Sequence, residues 1–127
     1  MIGYVTLGVS DIERARRFYD VLFGTIGASR LLQLKENGFT QYGTGWDKPT
    51  LVITEPFDGS PATSGNGNMI ALPMDSREKV DAFYTKAIEL GGTCEGEPGP
   101  REPAQLRFYA AYFRDPDGHK LCAYKVG

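Results

Sequence analysis

The feature that most restricts this chain is that it repeats itself. The aromatic pair Phe18-Tyr19 returns 65 positions on as Phe83-Tyr84, and the same offset, without gaps, lays Leu7 on Leu72, Glu13 on Glu78 and Gly27 on Gly92. Caps, aromatic pair and helix stop coinciding at one offset point to duplication of a supersecondary unit. Two copies in 127 residues leave each too short to bury a sizeable core alone. They are therefore expected to share one domain over 1–127.

Within each copy the hydrophobic period changes once. Val5, Leu7 and Val9 alternate with Tyr4, Thr6 and Gly8, the signature of a half-buried strand. From Ile12 through Ala15, Phe18, Tyr19, Leu22, Phe23 and Ile26 the spacing becomes three or four, which predicts one face of a helix. Ser10 and Glu13 stand at capping-box spacing and Gly27 offers a left-handed stop. The second copy alternates over 69–74, has Asp75 and Glu78 at capping-box spacing, a stripe of Val80, Phe83, Tyr84, Ala87 and Ile88, and Gly91-Gly92 as its stop. Three strand-like runs follow each helix: 29–35, 39–44 and 50–54, then 93–95, 106–114 and 120–126. Asn37-Gly38 predicts a tight hairpin between the first two, and Asp115-Pro116-Asp117-Gly118 a type I turn before the last. The expected fold is α+β, two tandem βαβββ modules: module one over 1–55, a Gly-rich linker over 56–67, and module two over 68–127. Residues 97–103, EPGPREP, read as a Pro-rich loop.

Charge narrows the partners. Fourteen Lys and Arg against sixteen Asp and Glu give a net charge of -2, so no basic field favours nucleic acid. No apolar run approaches the ~18 residues of a membrane span, and Met1 leads directly into a strand pattern; the expectation is a cytoplasmic protein that is neither inserted nor secreted. Cys94 and Cys122 lack CxxC spacing and read as free thiols. His119 is the only histidine, which rules out sites needing two or three imidazoles from one chain.

Two stretches, VTLGVSDIERARRFYDVLF at 5–23 and FYAAYFRDPDGHKLCAYKVG at 108–127, together with the tandem repeat, resemble the vicinal oxygen chelate superfamily: glyoxalase I, the bleomycin- and fosfomycin-resistance proteins and the extradiol dioxygenases. The resemblance spans essentially the whole chain. It implies that the sheets curl around a central cup, where His, Glu or Gln side chains from the first and last strands of each module hold a divalent metal. Carried over residue by residue, the usual histidines fall at Tyr4 and Met69, and the Glu of a DPDG-x-x-x-E pattern falls at Cys122. Strand 50–54 has no carboxylate or imidazole, and Glu55 is expected outside the cup. A phenol, a thioether and a thiol suit hard or borderline ions poorly. The expectation is no metal and no cofactor. His119 stands three residues from Cys122, so strand alternation turns the two to opposite faces and removes a Cys-His dyad.

The same parity outlines the cup. With Tyr4 and Met69 facing in, Thr6, Gly8, Ala71 and Pro73 follow, while Val5, Leu7, Ile70 and Leu72 pack under the helices. Cys122 and Tyr124 face in from the last strand. Resemblance to the fosfomycin-resistance pattern, with a tyrosine three residues before DPDG, adds Tyr112, Ala110 and Phe108, and Trp46 is expected to close over the mouth. This lining implies a small organic molecule, aromatic or amphipathic, held without turnover. A closed core is the competing reading of the same residues. The alternative function is a lyase or isomerase of glyoxalase type with a diverged site; a regulatory module is a third reading with no positive feature. The resemblance also implies a homodimer, formed by packing whole chains or by exchanging modules through the linker.

Overall fold

The computed structural model describes residues 1–127. The chain divides into two compact units, Met1–Ser64 and Gly65–Gly127. The first contains β1 (Tyr4–Gly8), α1 (Ile12–Gly24), β2 (Ser29–Gln33), β3 (Thr40–Gly43) and β4 (Thr50–Thr54), with sheet order β1-β4-β3-β2. The second contains β5 (Ile70–Pro73), α2 (Arg77–Glu89), β6 (Thr93–Arg101), β7 (Phe108–Arg114) and β8 (Lys120–Val126), with order β5-β8-β7-β6. In each sheet the first and last strands of the unit run parallel and the other pairs antiparallel. Each unit is therefore one βαβββ module, and the fold is α+β. No helix is long and apolar enough to cross a membrane.

The 65-residue offset survives in three dimensions as far as the helices. Their N-caps are Asp11 and Ser76, their first residues Ile12 and Arg77, and their last Gly24 and Glu89. The final strands begin at Thr50 and Lys120, five residues beyond that offset. Both caps lie one residue later than the capping boxes expected on Ser10 and Asp75. The Asp11 carboxylate accepts from the Arg14 amide at 3.1 Å and the Ser76 hydroxyl from the Lys79 amide at 3.2 Å. Strand pairing decides this: the amides of Val9 and Met74 are still bonded to Thr54 and Tyr124 carbonyls, and one further residue is needed to turn the chain. Glu13 and Asp75 pair instead with Arg16 and Lys79. Gly27 (φ 78°) is left-handed but stands beyond the Thr25 C-cap. Gly92 ends α2 by close approach, since a Cβ there would lie 2.8 Å from the Ala87 carbonyl oxygen.

Each helix buries its apolar stripe on one face of its own sheet. Tyr19 and Phe23 pack on Tyr42, whose hydroxyl donates to Asp20 at 2.7 Å. Burial and that carboxylate hold the Tyr42 phenol well above its ordinary pKa. In the second unit Val80, Phe83 and Ala87 are buried on the face carrying Phe113, Leu121 and Ala123, with Phe83 6.0 Å from Phe113.

Two strand expectations are corrected. The connection expected on Glu36-Asn37-Gly38 is present as a single 3-10 turn, with Asn37 and Gly38 both left-handed and the Leu34 amide bonded to the Phe39 carbonyl. However, β2 stops at Gln33 and β3 starts at Thr40, short of the runs expected to 35 and from 39. A register shift between Arg30 and Leu32 accompanies the longer connection. The stretch 97–103 is not a loop throughout, because β6 runs on to Arg101. Pro98 and Pro100 are tolerated since β6 is an edge strand paired only with β7, where a missing amide leaves no second partner unsatisfied. Register shifts on either side of Gly96 absorb the irregularity.

Candidate functional site

With α2 on the Phe113, Leu121 and Ala123 side, strand alternation assigns the opposite face of the second sheet. Tyr112 pairs with Cys122 and Ala110 with Tyr124 across β7 and β8, while Ala71 and Pro73 of β5 lie beside Cys122 and Tyr124. Four expected site residues thus share one helix-free face. Phe108 and Tyr124 stack with ring centres 5.3 Å apart and planes at 30°. Ala110 and Cys122 are buried between the larger side chains.

Tyr112 and Cys122 are direct cross-strand neighbours. Burial pushes the Cys122 thiol up; the Tyr112 hydroxyl and the charges of Arg101 and Lys120 pull the other way without prevailing. Burial also raises the Tyr112 phenol. The pair is consequently neutral at pH 7. Both cysteines are free, Cys94 exposed and Cys122 buried. In the native protein a disulfide reagent such as DTNB is expected to titrate one thiol rapidly at pH 8 and the second only after unfolding. Rapid release of two equivalents would show that Cys122 is accessible.

Arg101 and Lys120 belong to the same constellation. The Arg101 guanidinium carbon lies 5.3 Å and the Lys120 ammonium 5.4 Å from the Tyr112 ring centre, within cation–π range. Neither residue is among those expected from the sequence. Lys120 was readable, since it shares the parity of Cys122, whereas Arg101 was hidden by the prolines that made its segment look like a loop.

In the first unit Tyr4 and Thr6 lie on the helix-free face, beside Thr50 and Val52, because Val5 and Leu7 align with the helix-facing Leu51 and Ile53. Tyr4 is 58% exposed. A buried amide sits on the same face: Gln41 Nε2 donates to Thr50 Oγ1 at 2.7 Å. Trp46 is exposed in the turn between β3 and β4, and Met69 is exposed immediately before β5. His119 is buried at the turn before β8, where the Asp115 carboxylate accepts from the Asp117 and His119 amides at 2.9 Å each. It directly precedes β8, which begins at Lys120.

The three positions at which the resemblance would place metal ligands hold Tyr4, Met69 and Cys122. No three His, Cys, Asp or Glu side chains anywhere in the chain gather to hold an ion. Cys122, the best soft donor among them, is a buried thiol whose pKa burial pushes up. These residues do not fit the divalent metal of the resembled proteins.

Comparison with known proteins agrees with this architecture. The family described as Glyoxalase/Bleomycin resistance protein/Dioxygenase superfamily matches residues 1–123. Metallothiol transferase FosB of Shouchella clausii (strain KSM-K16) is 32% identical over 120 residues, 94% of this chain and 76% of that protein. A glyoxalase/bleomycin resistance protein from Albidiferax ferrireducens T118 is 40% identical, with a TM-score of 0.86 over 98% of both chains. A lactoylglutathione lyase from Agrobacterium tumefaciens, 21% identical with a TM-score of 0.70 over 98% of this chain and 92% of that one, shares the fold.

Proposed function

The chain belongs to the glyoxalase/bleomycin resistance protein/dioxygenase superfamily, and from that membership we propose that it is a small-molecule-binding member whose ligand is aromatic or amphipathic. The observation that carries this reading is the stacked Phe108–Tyr124 pair on the same face as Tyr112. The three half-buried rings offer apolar surface, and stacking adds roughly 0.5–1.5 kcal/mol per good ring pair beyond burial. Met69 and Cys122 enter the proposal as further ligand contacts of this unit, and Tyr4, Thr6 and Trp46 as ligand contacts of the first unit. Binding uses no metal, and the protein acts in the cytoplasm as a two-fold dimer.

A screen of aromatic metabolites and antibiotics tests this reading, followed by melting temperature, amide chemical shifts and fluorescence of Trp46, the only tryptophan. At least one aromatic compound is expected to raise the melting temperature, shift the amides of Phe108, Tyr112 and Tyr124, and quench Trp46. Phe108→Ala and Tyr124→Ala should each weaken it by about tenfold, the scale of a lost ring contact. No hit from the screen, or hits indifferent to both substitutions, would leave these residues as packing. Turnover of a bound compound would move the protein to the glyoxalase-type lyase or isomerase reading.

A further inference from the structure

The helix-free face of the second unit carries a guanidinium, that of Arg101, whose hydrogen bonds all go to neutral carbonyls. Arg101 stands on the edge strand opposite Phe108, yet its side chain does not run out into solvent. It folds back along β6, with Nη1 donating to the Pro100 carbonyl at 3.2 Å and Nη2 to the Glu97 carbonyl at 2.6 Å. The path is cleared by two glycines. A Cβ on Gly96 would lie 3.3 Å from Nη2, and one on Gly99 would lie 3.2 Å from Nη1. The guanidinium so held faces the Tyr112 ring, and Lys120 approaches that ring as well. Other arginines of the sheets have carboxylates: Arg30 has Asp20 and Arg114 has Glu95, each at 2.6 Å. Arg101 has only neutral carbonyls, and the nearby Glu95 is taken by Arg114.

We propose that Arg101, with Lys120 beside it, recognises an acidic group on the ligand, so that the preferred ligand class is an aromatic carboxylate. The proposal rests on the reading of this face as the ligand platform and adds the charge of what it binds. A guanidinium has five N–H donors in a rigid fork, and two carbonyl bonds leave donors for a carboxylate. The bonds to a carboxylate are charge-assisted and shorter than those to neutral oxygen. The ring of the ligand lies against Tyr112 and the Phe108–Tyr124 pair, and its acid group on Arg101. Gly96 and Gly99 are positioning residues: they touch no ligand but leave the space in which the guanidinium is held.

The test compares 2-naphthoate with 2-naphthamide, which share a ring system and differ in charge, by titration calorimetry on the full chain. The acid is expected to bind at least about tenfold tighter at low salt, and its advantage should shrink in 0.5 M salt by about threefold or more as the charges are screened. In Arg101→Gln the advantage should fall below about twofold, whereas Arg101→Lys keeps part of it. Gly99→Ala meets only the tip of a flexible side chain, so it should fold normally while displacing the guanidinium and reducing the advantage severalfold. Equal affinities for acid and amide in the unaltered protein would overturn the charge assignment and leave the aromatic platform standing. An acid preference that persists in both Arg101→Gln and Gly99→Ala would overturn the role of Arg101. Absence of binding by either compound would count against the platform and the charge assignment together.

Discussion

Phe113→Ala is expected to lower the unfolding free energy by about 3–5 kcal/mol, the usual cost of emptying a buried phenylalanine site. Phe113 is wholly inaccessible and lies 6.0 Å from Phe83, the central aromatic of α2. The helix cannot close over the gap, because the approach at its end is already set by Gly92 against the Ala87 and Arg114 carbonyls. Since domains of this size have only about 5–15 kcal/mol in all, the variant should be close to unfolding at 37 °C. Urea denaturation measures the loss, with Phe57→Ala as the control: Phe57 is 96% exposed and its removal should change stability by less than about 0.5 kcal/mol. A loss below about 1 kcal/mol for Phe113→Ala would mean that the α2 face is not the core of this unit.

The second large effect is expected at Asp115, which lies in a turn and is nonetheless 3% exposed. Its carboxylate accepts from two amides, those of Asp117 and His119, and its own amide and carbonyl bond to His119 and Gly118. Asp115→Ala removes the acceptor from both side-chain bonds, one of them at a buried residue, and should cost about 2–4 kcal/mol. Asp115→Asn keeps a carbonyl oxygen where the carboxylate was and should cost less than half as much. The turn sets where β8 enters the sheet opposite β7, and so sets the pairing of Tyr112 with Cys122. Loss of the turn should therefore expose Cys122 to thiol reagents before global unfolding, a readout that a remote destabilisation would not produce. Slow Cys122 labelling in a destabilised Asp115→Ala protein would separate the turn from the site.

Much of the architecture is legible in the amino-acid order because it is written in local periods. The change from alternation to three-and-four spacing locates β1 and α1, and β5 and α2; the runs at 50–54 and 120–126 match β4 and β8 residue for residue. Parity also places Phe108, Tyr112, Cys122 and Tyr124 on one face, as the register has them, since a strand can turn its side chains only two ways. The caps fall one residue later than their spacing predicts, for a reason no local pattern contains. Ser10-Asp11 and Asp75-Ser76 each offer two capping side chains in succession, and bonds from Val9 to Thr54 and from Met74 to Tyr124, some 45 to 50 residues away in sequence, select the second.

The duplication, the order of elements and the helix stripes are set by the amino-acid order alone, because each depends on residue identity at short or fixed spacing; that Tyr4, Met69 and Cys122 stand where relatives carry metal ligands is what the family resemblance implies. Tertiary structure decided what stands next to what. Pro98 and Pro100 look like a loop along the chain, but on a sheet edge their missing amides are harmless, and β6 continues to Arg101. Only that continuation, with Gly96 and Gly99 left without side chains, brings a guanidinium back over Tyr112 beside Lys120. Register is a sum of many long-range hydrogen bonds and edge irregularities, and the identity of any one residue carries too little of that sum to reveal it.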